Sequence, residues 1–373
     1  MNMEVDLDGL LRENSTFDYM EDYEYPEDLD SRSSTSVVIP ALYSVVLVIG
    51  LFGNGLLLAI LALKRRSWTP SDTFILHLSI TDVLLLLTLP LWAAEAAHLH
   101  GWCFGAFLCK LSGAVFNINF YCGIFLLLCV TLDHYLSIVH GIQLYSQKKL
   151  RLVHISCLLV WLISLILSIP DWIFMKATKD EAQPKAQCVP DYSPSATDRR
   201  LVSHVPHHLL GFLLPAATLI ICCSCILLRL QRSPKVLQTQ RAFIMIILPL
   251  MAVFFVFWVP YNITLIVDTT RSGSKEHNGK QPESTNDPLQ TALMVTKALG
   301  CIHACLRPLL YFGLCGNFRK RVLAVLRCEK AGKEDSLWEL GVGEEVRPEH
   351  SHDEAEELKQ MTTVDHQVQS TPC

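Results

Sequence analysis

Seven long apolar runs organise the chain, at roughly 37–63, 73–97, 106–139, 152–174, 203–229, 242–267 and 289–313. A helix needs about 20 mostly apolar residues to cross the hydrocarbon core of a bilayer, and each run meets that length. The first reads VVIPALYSVVLVIGLFGNGLLLAILAL, without a charge, and the fourth is charge-free up to Asp171 near its end. A soluble helical bundle would keep one apolar face per helix and charge the other. These runs are apolar all round. Prolines 90, 170, 215, 260 and 308 fall inside them, which membrane helices tolerate because neighbours satisfy the freed backbone groups. The pattern predicts an all-α membrane protein, a seven-transmembrane helix bundle over 37–314. A tail over 1–36 precedes it, and a short amphipathic eighth helix over 315–330 and a second tail over 331–373 follow.

Charge gives the orientation. The composition, 51% hydrophobic and 18% charged with a formal net charge of −5, conceals three unlike parts. Residues 1–36 carry eleven acids and two bases, residues 37–330 fourteen acids and twenty-six bases, and residues 331–373 eleven acids and three bases. The bases collect after spans one, three, five and seven, in loops holding fifteen bases against Asp72 and Glu329. By the positive-inside rule the N-terminus lies outside and the C-terminus in the cytoplasm. No charged n-region, apolar h-region and cleavage site precede residue 37, so span one is expected to act as an uncleaved anchor. An apolar body between two acidic tails excludes a nucleic-acid partner. Lipid is the expected partner of the spans.

Most of the fourteen cysteines sit inside apolar spans, where they behave as small apolar residues. No C-x₂-C pair has matching partners, so no zinc site is expected. Cys109, at the outer start of span three, and Cys188, in the long loop before span five, lie on the oxidising side, where a bridge can form. It would tie the loop over the mouth of the bundle. Cys103 is an extra outer cysteine, expected to be a free or buried thiol. The outer tail ENSTFDYMEDYEYPEDLD combines acids with Tyr19, Tyr23 and Tyr25. Its low hydrophobicity and high charge predict disorder. It reads as an electrostatic lure for a basic protein, with the tyrosines as sulfation sites, or as a solvated tail without a specific role. Asn14-Ser15-Thr16 is a glycosylation sequon in an exposed place; Asn262-Ile263-Thr264 is set aside because it lies within span six.

Charges at bilayer depth are costly and mark function by default. Asp82 in span two has no lysine or arginine within a helical turn, and Asn54 and Asn119 are placed to share a polar pocket with it, with room for a cation and water. Glu95, Asp171 and Asp268 end spans two, four and six on the outer side. Beside Tyr43, Trp92, Phe116 and Tyr261 they would line a vestibule suited to a basic peptide segment, although each alone reads as a solvated helix end. Lys297 in span seven is expected to pair with one of them. No G-x-S-x-G, H-E-x-x-H or phosphate-binding glycine loop occurs, so no enzyme is expected. The pairs His207-His208 and His98/His100 lack metal-ligand partners and read as surface histidines. A membrane transporter is the rival class, opposed by the lack of an internal repeat or paired broken helices.

Taken in order, these residues resemble the rhodopsin-like G-protein-coupled receptors. The matches are GNGLL at 53–57, LSITD at 78–82, Cys109, Trp161, Pro215, FWVPY at 257–261, and PLLY at 308–311 followed by NFRKRVLAVL. TLPLWA at 88–93, FNINFYCGIFLL at 116–127, IVHGIQLY at 138–145 and the acidic tyrosine tail are similar to the chemokine receptors, most of all the CXC receptors of the type 3 group. The resemblance implies a plasma-membrane receptor for a small basic chemokine that engages the tail first and the vestibule second. It implies heterotrimeric G protein of the Gi class and arrestin as inner partners. It also implies an activation switch comprising Asp133, His134, Tyr135, Trp258, Pro260, Arg307, Pro308 and Tyr311. No resident cofactor is implied beyond an allosteric sodium ion at Asp82 and Asn119.

Several departures bear on signalling. The family's Asp-Arg-Tyr reads Asp133-His134-Tyr135, exchanging a permanently charged, bidentate arginine for an imidazole, a group in general mostly neutral at pH 7. Cys223 stands where the family has the partner tyrosine, and Arg307-Pro308-Leu309-Leu310-Tyr311 where it has Asn-Pro-x-x-Tyr. Arg307 is placed to pair with Asp82 and displace the sodium ion, and Gly123 and His303 also leave the usual polar set. The second outer cysteine pair usual in chemokine receptors is missing. These changes lead to the expectation of a receptor that binds chemokine but couples weakly to G protein, a scavenger. A conventional receptor driving calcium signalling and chemotaxis is the alternative. The acidic inner tail, with Ser351, Thr362, Thr363, Ser370 and Thr371, is expected to recruit arrestin and adaptors or to be plainly solvated.

Overall fold

The computed structural model describes residues 27–64, 68–98, 100–140, 146–179, 186–192, 196–232, 246–277 and 288–327. Tyr19, Tyr23, Tyr25, Asn14 and the inner tail over 331–373 lie outside them. The helices in chain order are α1 (Glu27–Leu63), α2 (Pro70–Ala97), α3 (Gly105–Val139), α4 (Ser146–Leu167), α5 (Ile169–Phe174), α6 (Ala196–Pro206), α7 (Leu214–Arg232), α8 (Leu248–His277), α9 (Pro288–Leu314) and α10 (Gly316–Leu326). Among the described residues, seven stretches are long and apolar enough to cross a membrane, as the hydropathy pattern predicts. Phe52, Leu63, Leu158, Ile166, Ile221 and Val256 are each more than half exposed. Such a girdle of bare apolar side chains suits lipid rather than water.

Among the described residues, two spans are broken partway along their length, each beside a proline. In the fourth, α4 ends at Leu167 and α5 restarts at Ile169, with Pro170 in its first turn. Proline has no N–H to donate and its ring crowds the carbonyl four residues back, which weakens the helix at that point, although α2, α8 and α9 run on through Pro90, Pro260 and Pro308. Ser168 bridges the break, its Oγ donating to the Ser164 carbonyl at 2.7 Å. In the fifth span a π-helical turn, His207–Leu213, joins α6 to α7, and the Leu214 N–H reaches back five residues to the Leu209 carbonyl. The wide turn ends at Leu213, two residues before Pro215, and its Gly211 is packed against the Tyr121 ring.

The all-α expectation holds for the membrane body, but the loop after α5 adds a two-stranded antiparallel hairpin. It comprises β1 (Met175–Lys179) and β2 (Ala186–Pro190), in a register that sets Ala177 opposite Cys188. A disulfide joins Cys188 to Cys109 at the start of α3, with the Cα atoms 5.6 Å apart. The Trp102 N–H donates to the Ala186 carbonyl at 2.8 Å and the Ala186 N–H to the His100 carbonyl at 3.0 Å. Gly101 lies between them at φ 69°, with no room for a Cβ beside the Ala186 carbonyl.

Inside the bundle, Leu85, Leu89, Phe120, Phe254, Trp258 and Ala304 are fully buried. At the other end, Thr69 caps α2: its Oγ1 accepts from the Asp72 N–H, and the Asp72 carboxylate accepts from the Thr69 N–H at 2.6 Å and from Lys64 Nζ at 3.0 Å. Helix α10 buries Phe318 and Val322 and exposes Arg319 and Lys320.

Candidate functional site

Between the hairpin and the aromatic core, where the sequence leads one to expect a vestibule, charged side chains of α2, α5, α8 and α9 come together, with Asp171 and Asp268 both acting on Tyr261. Three acids and one lysine of the sequence reading meet there, with Lys297 in electrostatic range of both Glu95 and Asp171. The acids are not simply free to receive a ligand. Glu95 Oε1 accepts from the Cys188 backbone N–H at 2.7 Å, Asp171 is held by the Asn117 amide, and Asp268 Oδ2 is 2.7 Å from Arg200 Nη1. The reason is tertiary: the loop folds back over α2 as a hairpin, and α6 extends the fifth span far enough to carry Arg200 to α8.

Lys297 also departs from the expectation. It makes no ion pair among the described residues. Its Nζ stands 3.3 Å above the Trp92 ring and 5.2 Å from that of Phe116. The quadrupole of an aromatic face attracts a cation there, most strongly in tryptophan. Tyr43 and Trp92 are buried in the same wall. Tyr261 packs edge-on to Phe116, ring centroids 5.3 Å apart.

The floor is an aromatic cluster around Trp258, two residues before Pro260 in α8. Its ring centroid lies 4.7 Å from that of Phe120, 5.1 Å from Phe116 and 5.3 Å from His303. Beside it runs a hydrogen-bond network that sequence reasoning missed. His207, expected at the surface, is 5% exposed, with Nδ1 2.8 Å from Tyr121 Oη and Nε2 3.1 Å from Asn262 Oδ1. The Asn262 amide donates to the Trp258 carbonyl at 2.9 Å. Its oxygen must therefore accept, so His207 carries its proton on Nε2 and takes the Tyr121 hydroxyl on Nδ1. One imidazole thus joins α3, the π-turn and α8.

His204 repeats the device one turn outward. Its Nδ1 lies 2.6 Å from Thr269 Oγ1 and its Nε2 3.0 Å from Tyr192 Oη. Thr269 spends its own hydrogen on the Leu265 carbonyl, so the ring donates from Nδ1 and accepts from Tyr192. Burial pushes the Tyr192 phenol up to about 12, against an opposing hydrogen bond with Ser203, which keeps it a donor. The signal available in the sequence was the spacing of 204 and 207, three apart on one helical face within an apolar span.

Deeper, Asp82 meets Arg307. Nη1 of Arg307 lies 3.0 Å from each carboxylate oxygen, and Asn119 Nδ2 donates to Oδ1 at 3.0 Å. His303 Nε2 is 3.7 Å from Oδ1, while its Nδ1 donates to the Gly300 carbonyl. Asn54 does not join this pocket; its amide bonds the Gly50 and Ala304 carbonyls at 3.0 and 2.9 Å, tying α1 to α9. The residues do not fit a sodium ion, because a guanidinium occupies the face of the carboxylate that a cation would take.

At the opposite end of α3, Asp133, His134 and Tyr135 are partly buried, and Tyr135 Oη is 3.3 Å from His140 Nε2. Cys223 packs its sulfur 3.5 Å from that of Met251, which also lies 3.8 Å from Thr131 Oγ1. Pro308 lies against Gly53, and Tyr311 is buried against Phe318.

The family model of the 7 transmembrane receptor (rhodopsin family) matches residues 53–311. The chain is similar to the C-X-C chemokine receptor type 3 of Bos taurus, 36% identical over 352 residues that span 88% of this chain and 92% of that one. It is 38% identical over 303 residues to the Homo sapiens receptor of the same name, covering 81% and 79% of the two chains. The Homo sapiens C-X-C chemokine receptor type 5 is 33% identical over 303 residues, 79% of each chain.

Proposed function

This chain belongs to the rhodopsin family of seven-transmembrane receptors and within it to the C-X-C chemokine receptors, and from that premise we propose that it captures and internalises chemokine while coupling weakly to G protein. Such a receptor is no enzyme, and its seven spans belong in the plasma membrane. The N-terminus faces outward in this reading, as the inner basic loops require.

Capture rests on charge. A small basic chemokine is drawn first to the acidic outer tail with Tyr19, Tyr23 and Tyr25, which raises the association rate. It then reaches the vestibule, where Glu95, Asp171 and Asp268 exchange internal partners for ligand cations. Giving up those partners costs free energy, so the vestibule favours a ligand whose own cations replace the Cys188 N–H and Arg200 with good geometry.

The observation that carries the weak-coupling half is the imidazole of His134. A G-protein-contacting arginine offers a fixed charge and a forked donor set, and a histidine offers neither. Cys223 supports the same reading, since a thiol packed on Met251 supplies no phenol to hold such a group when the helices part. The acidic inner tail would serve arrestin and adaptors in uptake. An intact Trp258 cluster beneath the vestibule favours a second reading, a conventional receptor that drives calcium signalling and leukocyte chemotaxis.

The test compares uptake of a labelled C-X-C chemokine with G-protein activation in the same cells, beside a relative that carries Asp-Arg-Tyr. Uptake with little calcium or cyclic-AMP response is expected. A response equal to the relative's would exclude weak coupling, and absence of both binding and uptake would remove the chemokine assignment.

A further inference from the structure

The ion pair between Asp82 and Arg307 is nearly sealed: the two side chains are 1% and 3% exposed. One negative and one positive charge cancel there, and both carboxylate oxygens are already bonded. The neighbouring His303 ring, donating through Nδ1 to Gly300, turns a lone pair toward the carboxylate and adds no donor in its neutral form. No anionic site is left over for a mobile cation.

Space in this region is also fitted to the guanidinium. A Cβ built on Gly123 would fall 3.2 Å from Arg307 Nη2 and 2.9 Å from the buried Phe254 ring. Phe254 is fully buried and cannot give way freely. Any side chain at 123 would press on the arginine, and glycine is what admits it. Asp82 on α2, Asn119 and Gly123 on α3 and Arg307 on α9 thus form one unit, the two asparagine and glycine positions one helical turn apart on the same face of α3.

We infer that Arg307 is a tethered cation, seated by Gly123, that takes over at Asp82 the place of a diffusible sodium ion and makes the stability of the bundle independent of sodium. A diffusible ion binds one helix arrangement in preference to another and shifts their populations with its concentration. A cation fixed to α9 cannot be diluted away, so the strength of the tie between α2, α3 and α9 is set by sequence alone. The inference holds whether the receptor signals or scavenges.

The test is thermal unfolding of the purified full chain in sodium chloride against N-methylglucamine chloride at equal ionic strength. The wild type is expected to unfold at the same temperature in both. Arg307→Asn combined with Gly123→Ser, which removes the internal cation and offers a hydroxyl, is expected to unfold several degrees higher in sodium. Asp82→Asn combined with Arg307→Gln, a neutral pair of similar shape, is expected to be insensitive to sodium and keeps the comparison open if the first variant does not fold. A saturable sodium-dependent rise in the wild type, abolished by Asp82→Asn, would overturn the inference. So would a folded Arg307→Asn/Gly123→Ser variant with no sodium response, because the arginine would then not be what excludes the ion.

Discussion

The backbone N–H of Cys188 donates to Glu95 at 2.7 Å while its sulfur is bonded to Cys109, so one residue fastens the outer hairpin to both α2 and α3. Cys109→Ser or Cys188→Ser is expected to cost about 2–5 kcal/mol, with loss of surface receptor and of chemokine binding. Glu95→Gln keeps the acceptor and should be mild. Glu95→Ala strands a part-buried N–H and should cost roughly 1–3 kcal/mol. Thermal unfolding of the purified variants ranks them, and equal stability of Glu95→Ala and Glu95→Gln would show that the hydrogen bond carries no weight.

Lys297 and Trp92 form a cation–π pair across α2 and α9. In a double-mutant cycle, Lys297→Met and Trp92→Leu should couple by about 0.5–2 kcal/mol. The cycle of Lys297→Met with Glu95→Gln should couple less. The reverse order would mean that Lys297 serves as an ion-pair partner after all.

His207 holds Tyr121 and Asn262 together. His207→Ala should destabilise by about 1–2 kcal/mol, since it leaves two buried polar groups to find other partners. His98→Ala is the control: the side chain is exposed and the change should stay within about 0.5 kcal/mol. Similar melting temperatures for both variants would remove the structural role of His207.

Thiol labelling checks orientation and burial together. Cys103 is free and exposed, so a membrane-impermeant maleimide added to intact cells should label it, and Cys103→Ser should abolish the signal. Cys315 is fully buried, and burial pushes its thiol up to about 12. The thiolate is the nucleophile and a raised pKa disfavours it, so peptide mapping of the native receptor should find Cys315 unmodified at neutral pH. Its labelling should rise only as pH climbs toward that value. Failure to label Cys103 from outside would contradict the outward N-terminus.

Two substitutions separate the coupling argument into parts. His134→Arg restores the fixed charge, and His134→Arg with Cys223→Tyr also restores a phenol to hold it. Chemokine-stimulated G-protein activation is expected to increase little in the first and clearly in the second, with uptake unchanged. A wild-type response already as large as the double variant's would mean that other contacts supply the coupling.

The seven spans and the Cys109–Cys188 bridge were legible in the sequence because both rest on local or near-additive quantities. Twenty apolar residues cross a bilayer whatever their neighbours, and Cys109 at the outer start of α3 and Cys188 in the outer loop both lie on the oxidising side with few other partners. Even the pairing of Arg307 with Asp82 was foreseeable as a charge that needed a counter-charge at the same depth. His207 was misread because hydropathy alone does not say which way a span is rotated, and Lys297 because an aromatic face can satisfy a cation as well as an acid does. The hairpin was missed because its short strands are defined by pairing with each other and with Trp102, not by a pattern of their own.

By itself, then, the amino-acid order determined that the chain crosses a membrane seven times and which charges stand at bilayer depth, since the cost of insertion is counted residue by residue. Only the tertiary structure decided which of those groups meet. Asp82 and Arg307 are 225 positions apart, and whether they touch depends on how α2 and α9 are rotated and on the missing side chain of Gly123 on a third helix. Those angles are set by packing all the helices at once, which no single segment encodes.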